Sequence, residues 1–447
     1  MPPATRTPIE RVSADDLMQK ALEVGPLPMH IGAVLVLDGE LDLAGVRATM
    51  AERIGALPRM RQRMVRAPLG CGRPIWLDDD VDMARQIRAV RCPAPGDERA
   101  LLETAVACYT QPLPTDRPLW CAVLVTGLAA GRSALVLVVH HVLADGIGGL
   151  GLLAGLVDGA PAPVPQAFPR PRPSRRRLAA DAWADRWRGL ARLPAGLRTL
   201  RPAAAELGSG GRPRAARCSL LHRLEPRLRI AVARVPLEEF HQFARAHRAT
   251  VNDAVLAAVA GALGELLARR GEDVAHLVIS VPVTARTSST PGAMGNRVGI
   301  MPVTVPTGGD AVHRLEQVAA VTRARKSSSR GSSAALSRPV FRALAALGIL
   351  RPLIRRQTMV NTFVTNVRGP QARPTFAGVR VADVIPLGIV SGNVTVAFTV
   401  LSYAGTLAVG IAAEPTACPD LDDLQVLLQA GLDELAVAPS GPGASGT

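Results

Sequence analysis

The sequence predicts an α/β protein of two domains, on three observations. Ala134 to Val139 is an unbroken apolar run rich in β-branched residues, the pattern of a strand buried on both faces, and it leads at once into His140 and His141. The second half repeats the same grammar of short apolar strands and alanine-rich helices from Ile230 onward. Between the halves lies A-P-A-P-V-P-Q-A-F-P-R-P-R-P-S-R-R-R, a composition that cannot build a core and reads as extended linker. The chain has 447 residues, enough for two cores, since single cores stop growing near about 250 to 300 residues. The expected division is an N-terminal domain over 1–158, a Pro/Arg-rich linker over 159–215, a C-terminal domain over 216–437 and a tail over 438–447.

Taken in order, helical patterning covers Ala14 to Leu22 and Leu43 to Ile54, on either side of a strand at Ala33 to Leu37. The stretch Pro58 to Arg63 alternates arginine with other residues and predicts a strand with one charged, solvated face. Asp97 to Thr110 reads as a helix with Asp97 as N-cap. The run Ala122 to Val125 then reads as a strand ahead of the one that ends at the histidines. Past the linker, Leu178 to Leu193 is helical, with Trp183, Trp187 and Leu190 on one face and Arg186, Arg188 and Arg192 elsewhere. A basic helix of that kind either lies in a lipid headgroup layer or packs on its own domain. Strands follow at Ile230 to Val235, at Leu277 to Val281, from Gly295-Asn296-Arg297 up to Val305, and at Val360 to Val367, with helices at Leu237 to His247 and Thr250 to Arg269. Thr250 and Asp253 form a near capping box. The uncharged stretch from Asp383 to Glu414 is broken by Pro386, Gly388 and Gly392, so it predicts a buried hairpin and no membrane span.

Composition bounds the function. Apolar residues make up 48% of the chain, which marks it as globular, and the net charge is +15 from 52 Lys+Arg against 37 Asp+Glu. Lysine occurs only at Lys20 and Lys326, so arginine carries the charge and points to phosphate, carboxylate or an anionic surface. With seven Phe, four Trp and two Tyr, stacking platforms are too scarce for a nucleic-acid partner. Six cysteines without C-x-x-C spacing imply neither a metal site nor a disulfide framework. The N-terminal residues lack the apolar segment of a signal peptide, and a cytoplasmic protein is expected.

A strand that ends in histidine and turns through Asp145 and Gly146 into an apolar segment puts imidazole where open α/β sheets place their sites. Imidazole, with an ordinary pKa of about 6.5, can take a proton from a hydroxyl or amine and hand it on. A lone histidine at a strand end is more often structural, and adjacent residues on a strand face opposite ways, so one of the two serves a given cleft at most. Asp145 and Gly146, taken singly, are ordinary turn formers.

The combination H-H-x-x-x-D-G resembles the active-site motif of the acyl-CoA-dependent acyltransferases with the chloramphenicol-acetyltransferase-like fold, which include peptide-synthetase condensation domains. Further words narrow the resemblance to the bacterial wax ester synthase/diacylglycerol acyltransferase family, from Arg11 to about Glu434. They are Pro28-Met29-His30-Ile31-Gly32, Pro118-Leu119-Trp120, Asn252-Asp253, Gly295-Asn296, T-N-V-R-G-P around Asn366 and Ser402-Tyr403-Ala404-Gly405. Around Asn366 the family reads S-N-V-P-G-P, so the arginine is a departure.

The resemblance implies two chloramphenicol-acetyltransferase-like domains, each a mixed sheet flanked by helices, with the active site at their interface. It implies acyl-CoA as the donor substrate, no bound cofactor, and a diacylglycerol or long-chain alcohol as acceptor. Contact with a membrane or lipid-body surface would follow from such substrates. His141 would be the general base rather than His140, because the motif counts its three intervening residues from the second histidine. Asp145 would be structural and paired with an arginine, Arg286 and Arg297 being candidates, and Gly146 would keep the loop clear of the acyl-CoA tunnel. Pro118, Leu119, Trp120, Asn252, Asp253, Asn296 and Asn366 would bind substrate or shape the site. A condensation-like enzyme that forms amides would share His141 and Asp145, and a non-catalytic lipid-binding protein could keep the fold.

Overall fold

Two six-stranded mixed sheets carry the molecule, and they share one apolar layer. A computed structural model describes residues 9–144, 146–160, 168–191, 214–284, 298–328 and 350–437. Helix α1 (Ala14–Leu22) starts on a capping box of Ser13 and Asp16. It is followed by strand β1 (His30–Leu37), helix α2 (Leu43–Arg53), the short ribbon of β2 (Gln62–Val65) and β3 (Ile75–Asp78), helix α3 (Met83–Gln86) and strand β4 (Ile87–Arg91). Helix α4 (Glu98–Tyr109) is capped by Asp97, whose carboxylate accepts from Ala100 N–H at 2.9 Å, and strands β5 (Trp120–Thr126) and β6 (Ser133–His140) lead to helix α5 (Gly146–Leu156). Helix α6 (Arg175–Ala191) bridges to β7 (Arg229–Pro236), α7 (Leu237–Ala246), α8 (Val251–Arg269), β8 (His276–Thr284), β9 (Val298–Pro306) and α9 (Ala311–Ser328). Then come α10 (Leu350–Arg355), β10 (Thr362–Arg368), β11 (Thr375–Phe376), β12 (Val379–Leu387), the hairpin β13 (Val396–Tyr403) and β14 (Thr406–Ala413), and α11 (Leu421–Glu434).

The first sheet runs β11-β12-β1-β6-β5-β4 and the second β7-β14-β13-β10-β8-β9. The β4/β5, β10/β13 and β10/β8 pairs are parallel and the others antiparallel. Alternation along β1 and β6 sends Leu35, Leu37, Leu135 and Leu137 to a face covered by α2 and α5. It sends Val34, Val36, Val136 and Val138 to the opposite face, where they meet α4 and the second sheet's Ile230, Val232, Ala397 and Ala412. Burial of each such side chain is worth roughly 1.5 to 3 kcal/mol, so this shared layer locks the two sheets together. The outer face of the second sheet is covered by α7, α8, α9 and α11. Helix α8 is long and apolar enough to cross a membrane, yet 67% of its window is buried inside the protein, where it serves as core.

Three expectations need correction. The first sheet is not built from 1–158 alone: β11 and β12, from residues 375–387, complete it against β1, in register Gly32↔Leu387 to Leu37↔Val381. Strand β1 is apolar on both faces and would otherwise be an exposed edge, which strand exchange removes. Arg234 reinforces the exchange by bonding Glu98 of α4 and Asp383 of β12. Second, Pro58–Arg61 is a 3₁₀ helix and not a strand, and its arginines are not a solvated face. Arg59 lies 4.4 Å over the Trp76 ring and Arg61 3.8 Å over Phe168, cation–π placements that consume the charges internally. Third, the described part of the linker is docked. Arg170 bonds Asp78 and Glu10, and Arg11 holds α6 through Asp181 at 2.6 Å and the Leu178 carbonyl at 2.9 Å.

Candidate active site

Strand β6 delivers the paired histidines and stops at the first of them, so His141 belongs to the turn that follows rather than to the strand. Three backbone bonds fix that turn. His140 N–H donates to Leu119 O at 2.9 Å, His141 N–H to Met29 O at 2.8 Å, and Leu143 N–H to His140 O at 2.9 Å. The words Pro28 to Gly32 and Pro118 to Trp120 are therefore the two walls to which the motif is tied. Trp120 is fully buried and donates its indole N–H to Met60 O at 2.8 Å, while Gln86 donates to Pro118 O at 3.0 Å. Through these bonds Leu119 is tied to the motif turn, and Pro118 and Trp120 to Gln86 and Met60.

The two imidazoles differ in environment. His140 is 4% exposed and His141 is half-buried. His140 Nδ1 accepts from Val142 N–H at 3.0 Å, which puts the ring proton on Nε2, 3.6 Å from Glu23 Oε2. That distance is longer than a hydrogen bond, so the contact is electrostatic. The His140 imidazole holds the Glu23 carboxyl down to about 2 against the opposing effect of burial, with Lys20 and the Met29 N–H adding to the same direction. Beside them His30, paired with His140 across β1 and β6, bonds Tyr109 O through Nδ1 at 2.8 Å and packs edge-on to the His140 ring at 5.9 Å. Gly32 completes this wall: a Cβ there would stand 2.8 Å from Leu137 O and 3.1 Å from the Tyr109 ring.

Burial pushes the His30 pKa down to about 4, with the Tyr109 carbonyl opposing. The unfolded chain therefore binds a proton near pH 6.5 that the native chain refuses until about 4. Stability supplied by neutral His30 is fully present above about 6.5 and is lost as pH falls toward 4. Urea unfolding at pH 7, 5 and 4 is expected to show this decline, and His30→Gln to flatten it. An unchanged slope in the variant would assign the acid sensitivity to other groups.

The remaining sequence-derived residues scatter. Asp145 and Asn296 lie outside the described residues, as do Arg286 and Arg297, while Gly146 opens α5. Asn252 is half-buried in the first turn of α8. Asp253 is 2% exposed and closes the capping box, accepting from Thr250 N–H at 2.9 Å, Thr250 Oγ1 at 2.7 Å and Thr322 Oγ1 of α9 at 2.8 Å. Asn366 is exposed on β10, opposite Val400 of β13, and α5 lies against β10. Two of the words meet one another: Gly369 N–H donates to Ser402 O at 2.9 Å, and Ala404 N–H to Pro370 O at 3.0 Å. A Cβ at 369 would stand 2.3 Å from Ser402 O, so the turn after Arg368 requires glycine. Glu23 and Tyr109 had no sequence signal of their own, because each stands at the end of a helix and meets its partner only through the packing of that helix on the sheet.

Family comparison covers most of this scaffold. The model of the wax ester synthase/diacylglycerol acyltransferase catalytic domain matches residues 12–255, and that of the WS/DGAT C-terminal domain matches 294–436. The chain belongs to the wax ester synthase/diacylglycerol acyltransferase family. It is accordingly an acyltransferase. A probable diacylglycerol O-acyltransferase of Mycobacterium tuberculosis (strain ATCC 25618 / H37Rv) is 31% identical over 425 residues, covering 89% of each chain. The fold is that of the wax ester synthase/diacylglycerol acyltransferase from Marinobacter aquaeolei VT8, with a TM-score of 0.69 at 22% identity over 95% of this chain and 98% of that one. The first condensation domain of the CDA synthetase shares it, with a TM-score of 0.61 at 20% identity over 97% and 96% of the two chains. The catalytic-domain match contains His140, His141, Trp120 and Asp253, and the C-terminal match contains Asn366.

Proposed function

We propose that this acyltransferase moves an acyl group from acyl-CoA to the hydroxyl of a diacylglycerol or long-chain alcohol, with His141 as general base. The observation that carries the assignment is the contrast between the two imidazoles: His140 is buried with its nitrogens turned to Val142 and Glu23, and half-buried His141 is the more exposed of the two. His141 takes the proton of the acceptor hydroxyl as its oxygen bonds to the thioester carbonyl carbon. The C–S bond then breaks and His141 returns the proton to the leaving thiolate, giving free CoA and an ester. No cofactor and no covalent acyl-enzyme are required. Asp145 is structural in this reading and Gly146 keeps the motif loop open to the donor. Asn252, Asn296 and Asn366 shape the site.

A lipid acceptor calls for a lipid-facing surface, and α6 supplies one. Trp183 and Trp187 are 57% and 59% exposed, their rings edge to face at 6.0 Å, beside exposed Arg186 and Arg188. The side chain of Leu190, and Arg192, lie outside the described residues. Docking of α6 through Arg11 leaves the tryptophans outward, which supports a cytoplasmic protein seated peripherally at a membrane or lipid-body surface.

Thiol release from palmitoyl-CoA with dispersed diacylglycerol, hexadecanol and a short soluble alcohol tests both parts. Turnover is expected with the alcohols, and thiol release with amines alone would show an amide-forming enzyme instead. Changing Trp183 and Trp187 together to Ser is expected to cut vesicle sedimentation and turnover of diacylglycerol while sparing the soluble alcohol. Equal loss on both acceptors with unchanged vesicle binding would mean that the pair supports the protein's own packing.

A further inference from the structure

The positive charge of this chain is unevenly spread along the sequence. Residues 317–382 hold no Asp or Glu and twelve basic residues, eleven Arg and Lys326, so this segment carries twelve of the net fifteen positive charges. Among its described parts, α10 and the residue after it present Arg351, Arg355 and Arg356, all exposed, the first two one helical turn apart. None of the three has an ion-pair partner among the described residues. Helix α10 lies against α1, and Arg355 Nε donates to Val24 O at 3.0 Å. Val24 follows Glu23, the carboxylate that faces His140 and is also approached by Lys20 Nζ at 3.6 Å. Glu23 is thus engaged by the motif wall and by Lys20, and the guanidinium cluster, tied through Arg355 to the residue after Glu23, has no carboxylate partner among the described residues.

We infer that Arg351, Arg355 and Arg356 form the phosphate-binding mouth of the donor site, which receives the diphosphate and 3′-phosphate of acyl-CoA while the thioester reaches His141. The inference rests on the acyl-CoA reading of the preceding subsection. Guanidinium is suited to the task, because its planar fork meets phosphate oxygens two at a time. Three guanidinium groups without a carboxylate partner among the described residues also draw an anionic donor toward them before contact. Arg355 has a second duty in holding α1 through Val24, so the informative changes are at Arg351 and Arg356.

The test compares three donors with the full chain: palmitoyl-CoA, its 3′-dephospho form and S-palmitoyl-pantetheine, which has no phosphate. The wild-type chain is expected to prefer palmitoyl-CoA over the pantetheine thioester by about tenfold or more in kcat/KM, and to lose that preference as salt rises. Arg351→Gln combined with Arg356→Gln is expected to raise KM for palmitoyl-CoA about tenfold and bring the donor ratio toward one. A donor ratio in the double variant equal to that of the wild type overturns the inference. Sedimentation with vesicles of phosphatidylglycerol and phosphatidylcholine separates the other source of phosphate: loss of vesicle binding with the donor ratio intact assigns the arginines to lipid headgroups and overturns it as well. Calorimetric titration with free CoA keeps this result apart from the acyltransfer reading. If no donor releases thiol, CoA binding that the double variant weakens tenfold still supports the mouth, and CoA binding insensitive to both changes sinks it.

Discussion

Replacing His141 with alanine is expected to lower thiol release from palmitoyl-CoA by about 10² to 10⁴-fold, the range that loss of a positioned general base costs. The fold is expected to survive, because His141 is half-buried in a turn whose backbone N–H still reaches Met29 O. His140→Ala behaves differently. It removes the Nδ1 acceptor of the buried Val142 N–H and the imidazole that faces Glu23, so part of its effect appears in the melting temperature. Measured per folded molecule, its loss of turnover is expected to be smaller than that of His141→Ala. A pH–rate profile adds a second reading: the wild-type rate falls as the base protonates, and the residual rate of His141→Ala lacks that limb. Should His140→Ala be the more damaging change at equal thermal stability, the base is His140 and the accessible ring is the positioning one.

Local periodicity carried much of the architecture. The strand ending at His140, helix α8 with its Thr250 cap and the β13/β14 hairpin each declare themselves through apolar spacing and turn residues within a few positions. Two kinds of feature escaped, for one reason. The strand exchange of β12 depends on β1 needing a partner on its far side, and nothing within 379–387 announces which sheet it will join. The alternating arginines of Pro58–Arg63 look like a charged strand face because alternation is a local signal, whereas the Trp76 and Phe168 rings that absorb Arg59 and Arg61 stand elsewhere in the chain. The site shows the same division. The histidines were visible as a motif, and Pro118 to Trp120 as a word, but the Glu23 carboxylate that faces His140 sits at the C-cap of α1 in an unremarkable stretch. Sequence words mark where to look, and only the fold tells whether a word touches the chemistry or holds up the wall behind it.

Asp253 is the sharpest case of that distinction, and Asp253→Ala is expected to cost stability rather than chemistry. Its carboxylate satisfies the Thr250 N–H and hydroxyl at the start of the buried helix α8, and through the other oxygen ties Thr322 of α9 to the same point. Loss of a helix cap costs about 1 kcal/mol and at most about 2. Stranding the buried Thr322 hydroxyl, which keeps only its long bond to Ala319 O at 3.2 Å, adds roughly 1 kcal/mol or more. The total, about 2 to 4 kcal/mol, is a large share of the margin of a domain this size. Urea unfolding is expected to show that loss, while turnover per folded molecule at a temperature well below the transition stays within about threefold of wild type. Asp253→Asn, which keeps an acceptor oxygen for one partner, is expected to recover part of the stability. A variant that unfolds at the wild-type urea midpoint but has lost turnover by two orders of magnitude would place Asp253 in contact with substrate instead, and the Asn252-Asp253 pair would then belong to the chemistry rather than to the start of the helix.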